Sequence, residues 1–138
     1  MQIRAYTQSD ESEVIKLWRD CDLVVPWNDP VRDIQRKLQV DPELFLVGYN
    51  AQGIVASVMG GYEGHRGWIN YLAVRPGDQR RGYGRLIMAA VEERIAQRGC
   101  PKINLQVRSS NKDVIAFYQS LGYTVDDVVG LGKRLKNE

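Results

Sequence analysis

One stretch limits what this chain can fold into more than any other. From Gly67 to Arg98 it reads GWINYLAVRPGDQRRGYGRLIMAAVEERIAQR. An apolar run (Ile69, Tyr71, Leu72, Ala73, Val74) stops at Arg75-Pro76-Gly77-Asp78. A glycine-rich turn over 79–84, QRRGYG, then opens directly into a helical pattern. Strand, glycine turn and helix in that order point backbone N–H groups and the positive end of a helix dipole at one spot. Gly82 and Gly84 lack the Cβ that keeps an anion off the backbone. Arg80, Arg81 and Arg85 stand beside them. The stretch therefore predicts a cradle for a phosphate group.

The rest of the composition narrows the partners. The chain has 138 residues, 43% hydrophobic and 26% charged, the profile of one soluble globular domain, taken as 1–138. With 19 basic and 17 acidic residues the net charge is +2, so no bulk polyanion is implied. Arg4, Asp10, Glu11, Glu13 and Lys16 argue against a signal peptide, and no apolar run reaches membrane-spanning length. A cytoplasmic location is expected. Cys21 and Cys100 lack metal-type spacing and histidine neighbours, so no metal site is expected.

Along the chain, 3–6 alternates and suits a short strand. Asp10 and Glu13 suit a cap with its reciprocal acid, ahead of Val14, Leu17, Trp18 and Cys21 at helical spacing. Asp29-Pro30 starts a second helix, with Val31, Ile34 and Leu38 on its apolar face. Runs over 44–49 and 54–62, split by Asn50-Ala51-Gln52-Gly53, predict a hairpin. The turn at 63–67 leads to the strand at 68–74, making three antiparallel strands in sequence. A long helix follows and stops at Gly99 and Pro101. A strand is predicted over 102–107, then a helix capped by Ser109-Ser110-Asn111 with Val114, Phe117, Tyr118 and Leu121 on one face. Strands over 123–128 and 130–135 close the chain. The order β-α-α-β-β-β-α-β-α-β-β argues for an α+β fold, a mixed and mostly antiparallel sheet flanked by helices.

The glycine turn is neither a Walker loop, since no Gly-Lys-Ser/Thr follows, nor a dinucleotide fingerprint, whose third glycine is missing. Its meaning comes from combination. Leu72-Ala73-Val74-x-Pro76 precedes Gln79-x-x-Gly82-x-Gly84, and Asn111-x4-Ala116-Phe117-Tyr118-x2-Leu121-Gly122-Tyr123 follows about thirty residues later. With these paired motifs the chain resembles the GNAT family of acyl-CoA-dependent N-acyltransferases, and the element order matches that fold across essentially its whole length. Residues 26–30 (PWNDP) and 60–67 (GGYEGHRG) look like those of one bacterial branch of acetyltransferases in that family.

The resemblance implies a function and a set of roles. The chain would be an acetyl-CoA-dependent N-acetyltransferase, with direct attack of a primary amine on the thioester and no covalent enzyme intermediate. The backbone amides of Gln79, Arg80, Arg81, Gly82, Tyr83 and Gly84 would hold the pyrophosphate of coenzyme A. The backbone at Leu72, Ala73 and Val74 would pair with the pantetheine arm as an added strand. An N–H there would stabilise the oxyanion, and losing one such donor costs about 2.7–4 kcal/mol. Asn111 would bind the cofactor arm, and Tyr118 would protonate the departing thiolate. Read without the motif, Tyr118 is a core aromatic at helical spacing.

The attacking amine must be neutral. A lysine amine is neutral about 0.04% of the time at pH 7, an α-amine about 14%. N-terminal acetyltransferases of the family tend to carry a glutamate base on the strand before the tyrosine-bearing helix. The segment Leu105-Gln106-Val107-Arg108 has glutamine there, and an amide cannot accept that proton. Glu63 and His65, in the turn before the cofactor strand, are the candidate replacements, with Glu63 placed ahead of His65. Two other classes compete. One is a non-catalytic acyl-CoA-binding regulatory domain of the same fold. The other is nucleic-acid binding through 80–85, which the near-neutral total charge disfavours. The acceptor's identity and a homodimer are left open.

Overall fold

The computed structural model describes residues 1–137. The described chain divides into two compact units, Met1–Leu105 and a second from Gln106 onward.

The first unit is built on a five-stranded sheet whose strands lie in chain order. They are β1 (Gln2–Ala5), β2 (Phe45–Asn50), β3 (Gly53–Tyr62), β4 (Gly67–Val74) and β5 (Ile103–Leu105). Neighbours from β1 to β4 are antiparallel, and β5 joins β4 in parallel after a helical crossover. The expected run of three antiparallel strands is therefore present as β2, β3 and β4.

Two helices line one face of this sheet. These are α1 (Glu11–Asp20) and α2 (Pro30–Lys37). Val14, Leu17 and Trp18 of α1 and Ile34 of α2 join Phe45, Val47, Met59 and Ala73 in one buried cluster. Tyr6 stacks on Phe45 with ring centroids 4.4 Å apart. The start of α2 follows the sequence closely. Asp29 Oδ1 accepts from the N–H of Val31 at 3.0 Å, and Pro30 takes the first helical position, where no N–H is needed.

The start of α1 differs from expectation. The Asp10 carboxylate accepts from Arg4 at 2.7 and 2.9 Å and from the Thr7 N–H at 2.9 Å. Glu13 reaches the Ile54 N–H at 3.1 Å instead of closing a capping box. Asp10 thus closes a capping box with Thr7, one turn earlier than expected, while Glu13 finds a partner 41 residues away, which local spacing cannot reveal.

The long helix α3 (Tyr83–Ala96) covers the opposite face, burying Ile87, Met88, Val91 and Ile95. Its approach explains Gly60 on β3, where a Cβ would lie 2.5 Å from Val91 Cγ2. Any side chain there pushes helix from sheet.

The second unit contains α4 (Lys112–Ser120). Asn111 caps it, its Oδ1 accepting from the Val114 N–H at 3.4 Å, and Gly122 ends it at φ +98°. The strands expected over 123–128 and 130–135 are not formed: the described residues after α4 carry no strand. Val125, Val128, Val129, Leu131 and Leu135 are 76–93% exposed. A β-prone run needs a partner ladder and a face to bury, and Asp126-Asp127, Gly130 and Gly132 interrupt this one. The strand expected over 102–107 is likewise trimmed to Ile103–Leu105.

Candidate active site

The site begins with an irregularity in β4. Its register with β3 runs Asn70 opposite Met59, then Ala73 opposite Ser57, so Tyr71 and Leu72 together face Val58. Two residues against one is a β-bulge. Tyr71 takes φ +52°, a left-handed conformation that glycine usually supplies at such a position. For another residue it costs on the order of 1–3 kcal/mol and persists only where neighbours enforce it.

Those neighbours are all in the first unit. The Tyr71 ring stacks on Trp18, centroids 3.8 Å apart and planes 12° from parallel. Its hydroxyl donates to Asp33 Oδ2 at 2.6 Å. Its carbonyl accepts from Ser57 Oγ at 3.2 Å, and Ser57 Oγ accepts from Trp18 Nε1 at 2.9 Å. Burial, with the Asp33 hydrogen bond behind it, pushes the Tyr71 phenol well above its ordinary value. Neither Ser57 nor Asp33 carried a sequence signal, because each reaches Tyr71 from another element, Ser57 from β3 and Asp33 from α2.

Beyond the bulge, β4 is open on one side. Pairing with β5 covers only Gly67, Trp68 and Ile69 of β4. Residues 70–74 have no partner strand on that edge within the first unit. Leu72, Ala73 and Val74, the expected cofactor strand, all fall in this open part.

The open edge leads into the glycine turn. Asp78, its side chain 3% exposed, anchors the entry by accepting from Arg75 Nε at 2.6 Å, with Arg81 Nη1 at 3.6 Å from its other oxygen. Two of the arginines thus brace the turn. Arg80 and Gly82 take φ +68° and +82°, folding the chain back into α3. The first helical hydrogen bond runs from the Leu86 N–H to the Gly82 carbonyl at 3.0 Å, so the helix start presents amides with no intrahelical acceptor. The first turns of α1, α2 and α4 carry acids; that of α3 carries none. Gln79 Nε2 reaches the Val74 carbonyl at 3.3 Å, and a Cβ on Gly82 would meet no atom within 4 Å. Exposed amides, absence of acid and open space suit a bound diphosphate. Residues 72–74 and 79–84 are thus brought together as one continuous surface.

Glu63 is not brought to it. The Glu63 carboxylate accepts from the backbone N–H groups of His65, at 3.0 Å, and of Arg66, tying the β3–β4 turn. That turn lies beyond Gly67, and six residues of strand separate Gly67 from Ala73, about 20 Å of chain. A base must reach its proton directly or through one water. The expectation that Glu63 serves as base meets a spatial obstacle for this reason, and His65 in the same turn shares it.

Asn111 and Tyr118 belong to the second unit. The Asn111 side-chain oxygen is used by the α4 cap, which leaves its amide nitrogen as the group for a ligand. Tyr118 is 8% exposed, flanked edge-on by Phe117 and Tyr123 at 5.2 and 5.6 Å. Burial raises its phenol to about 12, so it keeps its proton throughout the neutral range.

The mixed sheet flanked by helices, with its open strand edge, is compatible with an acyl-CoA-dependent transferase, and comparison with known proteins gives the class. The chain belongs to the Acetyltransferase (GNAT) family, whose profile matches residues 12–123. An acetyltransferase of Yersinia enterocolitica is 52% identical over 135 residues, 98% of this chain and 96% of that protein. Among solved structures, Ard1 from Thermoplasma volcanium matches 91% of this chain and 83% of its own at TM-score 0.78 and 23% identity. AAC(6')-Iy, in complex with a bisubstrate analog that joins coenzyme A to monomethyl-acetylneamine, matches 96% and 97% at TM-score 0.79 and 18% identity. Among the described residues no helix is long and apolar enough to cross a membrane.

Proposed function

We infer that this chain is an acetyl-CoA-dependent N-acetyltransferase that passes an acetyl group to a primary amine by direct attack on the thioester. The observation that carries this reading is the continuity of residues 70–74, a strand edge without a partner, with an acid-free glycine turn at a helix start. The edge suits an extended amide-bearing arm, the turn suits a diphosphate, and coenzyme A has both, joined end to end.

The residue roles follow from chemistry. Leu72, Ala73 and Val74 bind the arm through backbone groups, and an N–H of this segment stabilises the oxyanion. Gln79, Arg80, Arg81, Gly82, Tyr83 and Gly84 cradle the diphosphate, chiefly with main-chain amides. Asn111 donates to the arm through its amide nitrogen. Tyr118, protonated at working pH, donates to the sulfur as the thiolate leaves. The family match extends from residue 12 to residue 123, which supports reading both units as parts of one acyltransferase domain. Dependence on acetyl-CoA fits a cytoplasmic location.

Two measurements test this. Acetyl-CoA binding is followed by calorimetry in the native chain and in Gly82→Val, which fills the open space before the helix; native binding and a loss of at least tenfold in the variant are expected. Free thiol release is then followed with aminoglycosides, small amines, free N-terminal peptides and lysine peptides. Release with at least one amine class supports the enzyme. Binding without release from any class favours a non-catalytic acyl-CoA-binding domain.

A further inference from the structure

A planar trans peptide sends its carbonyl and its N–H in opposite directions. The Tyr71–Leu72 peptide is trans, and its carbonyl is turned to β3, where it accepts from Ser57 Oγ at 3.2 Å. The Leu72 N–H therefore points away from Ser57 Oγ, in a part of β4 whose far edge β5 leaves unpaired. This peptide follows Tyr71 at φ +52°, a conformation its side chain disfavours. Something must hold it there.

We propose that Tyr71 is a positioning residue, and that Asp33, Trp18 and Ser57 clamp it so that the Leu72 N–H is aimed at the thioester carbonyl. Three contacts act on three parts of one residue. The Trp18 ring fixes the Tyr71 ring at 3.8 Å, Asp33 Oδ2 takes the hydroxyl at 2.6 Å, and Ser57 Oγ takes the carbonyl at 3.2 Å. Trp18 also donates to Ser57 Oγ at 2.9 Å, so ring and carbonyl are held through a shared partner.

The clamp has a further consequence. Asp33 lies on α2, the helix capped by Asp29. The hydrogen bond from Tyr71 thus ties the peptide that handles the acyl oxygen to the helix covering this face of the sheet. A structural core contact would stabilise the fold alone. A positioning clamp changes what the bound thioester experiences.

The inference rests on acetyl-CoA being the ligand, and the test separates the two claims. Acetyl-CoA labelled with carbon-13 at the carbonyl is bound to the full chain, and its carbonyl stretch is read by isotope-edited infrared spectroscopy. Dissociation constants for acetyl-CoA and coenzyme A are measured beside it. In the native protein the stretch falls relative to free acetyl-CoA, reporting a hydrogen bond to the oxygen. Tyr71→Phe and Asp33→Ala lose more than half of that shift, while affinity for coenzyme A stays within threefold. Asp33→Asn retains the shift, because its amide oxygen still accepts from the phenol.

Thermal melts verify that each variant folds. Ser57→Ala, which leaves Tyr71 and Asp33 intact and removes the carbonyl anchor together with the acceptor of the Trp18 Nε1–H, is the second route should Tyr71→Phe not fold. Failure of the native chain to bind acetyl-CoA overturns the acetyltransferase reading itself. Binding with no carbonyl shift, a full shift retained in both variants, or an equal loss of coenzyme A binding overturns the clamp alone.

Discussion

Arg75 and Asp78 form the hinge-pin of the glycine turn: the Arg75 Nε–H donates to Asp78 Oδ2 at 2.6 Å, and the aspartate side chain is 3% exposed. Arg75 directly follows β4 and Asp78 leads into the glycine turn, so the pair braces the step between the proposed cofactor strand and the proposed diphosphate cradle. Asp78→Ala is expected to destabilise the fold by about 2 kcal/mol, the scale for hydrogen bonds to a charged group. Acetyl-CoA affinity should fall about tenfold, equivalent to about 1.4 kcal/mol, somewhat less than one such contact. Calorimetry checks the affinity and denaturant melts check the stability. Unchanged affinity in a destabilised variant would detach the pair from binding.

Tyr118→Phe removes one hydroxyl from a buried aromatic cluster. Turnover should drop about 100-fold, the lower range for general acid catalysis. The dissociation constant for acetyl-CoA should not change. Because burial lifts this phenol to about 12, it contributes no titration limb to the native pH–rate profile below pH 10. Full activity in the phenylalanine variant would remove Tyr118 from the reaction.

Glu63→Gln should leave the pH–rate profile where it was. The carboxylate is committed to the turn amides of His65 and Arg66, remote along β4 from residues 72–74. A glutamine oxygen still accepts those bonds, so the stability change should be under about 1 kcal/mol. A shifted acidic limb in the variant would restore Glu63 as the base.

Asp10 should be one source of acid sensitivity in the first unit. The hydrogen-bonded Arg4 guanidinium holds the Asp10 carboxyl below its ordinary value, against the opposing effect of burial. A carboxyl depressed in the folded state stabilises it above the unfolded value, about 3.9, and that stabilisation is lost as pH falls through the folded value. Asp10→Asn should therefore be less stable at pH 7 by about 1–2 kcal/mol, with the deficit shrinking below pH 4. Urea melts at pH 7 and pH 2.5 measure this difference.

What could be read from residue order was what depends on neighbours in the chain. Asp29-Pro30 marks a helix start because cap and proline act within three residues, and α2 begins there. Gly82 marks the turn before α3 because a left-handed residue at that point favours glycine, and its φ is +82°. The bulge at Tyr71 was illegible for the converse reason. A tyrosine is the wrong residue for φ +52°, and only Trp18, Asp33 and Ser57, up to 53 positions away along the chain from Tyr71, make it tolerable. The strands expected over 123–128 and 130–135 failed differently. Their valines and leucines carry β-propensity, but propensity is realised only against a partner. Glu63 is a candidate base by its chemistry, while its position at the turn end of a long ladder emerges only from the register of β3 and β4.

The strand pairing also implies a timetable. The β2–β3–β4 meander closes through turns of a few residues, whereas β1 reaches its partner across a gap in which Gln2 pairs with Tyr49. Short closures cost less chain entropy than long ones and are made sooner. The ladder carrying the bulge should therefore acquire amide protection before β1 docks, which pulse-labelled hydrogen exchange during refolding would reveal as earlier protection in β3 than in β1. A nascent chain would then have the strand proposed to bind the cofactor arm laid down while its N-terminal strand was still unpaired, and errors in docking β1 would spare the geometry of the bulge.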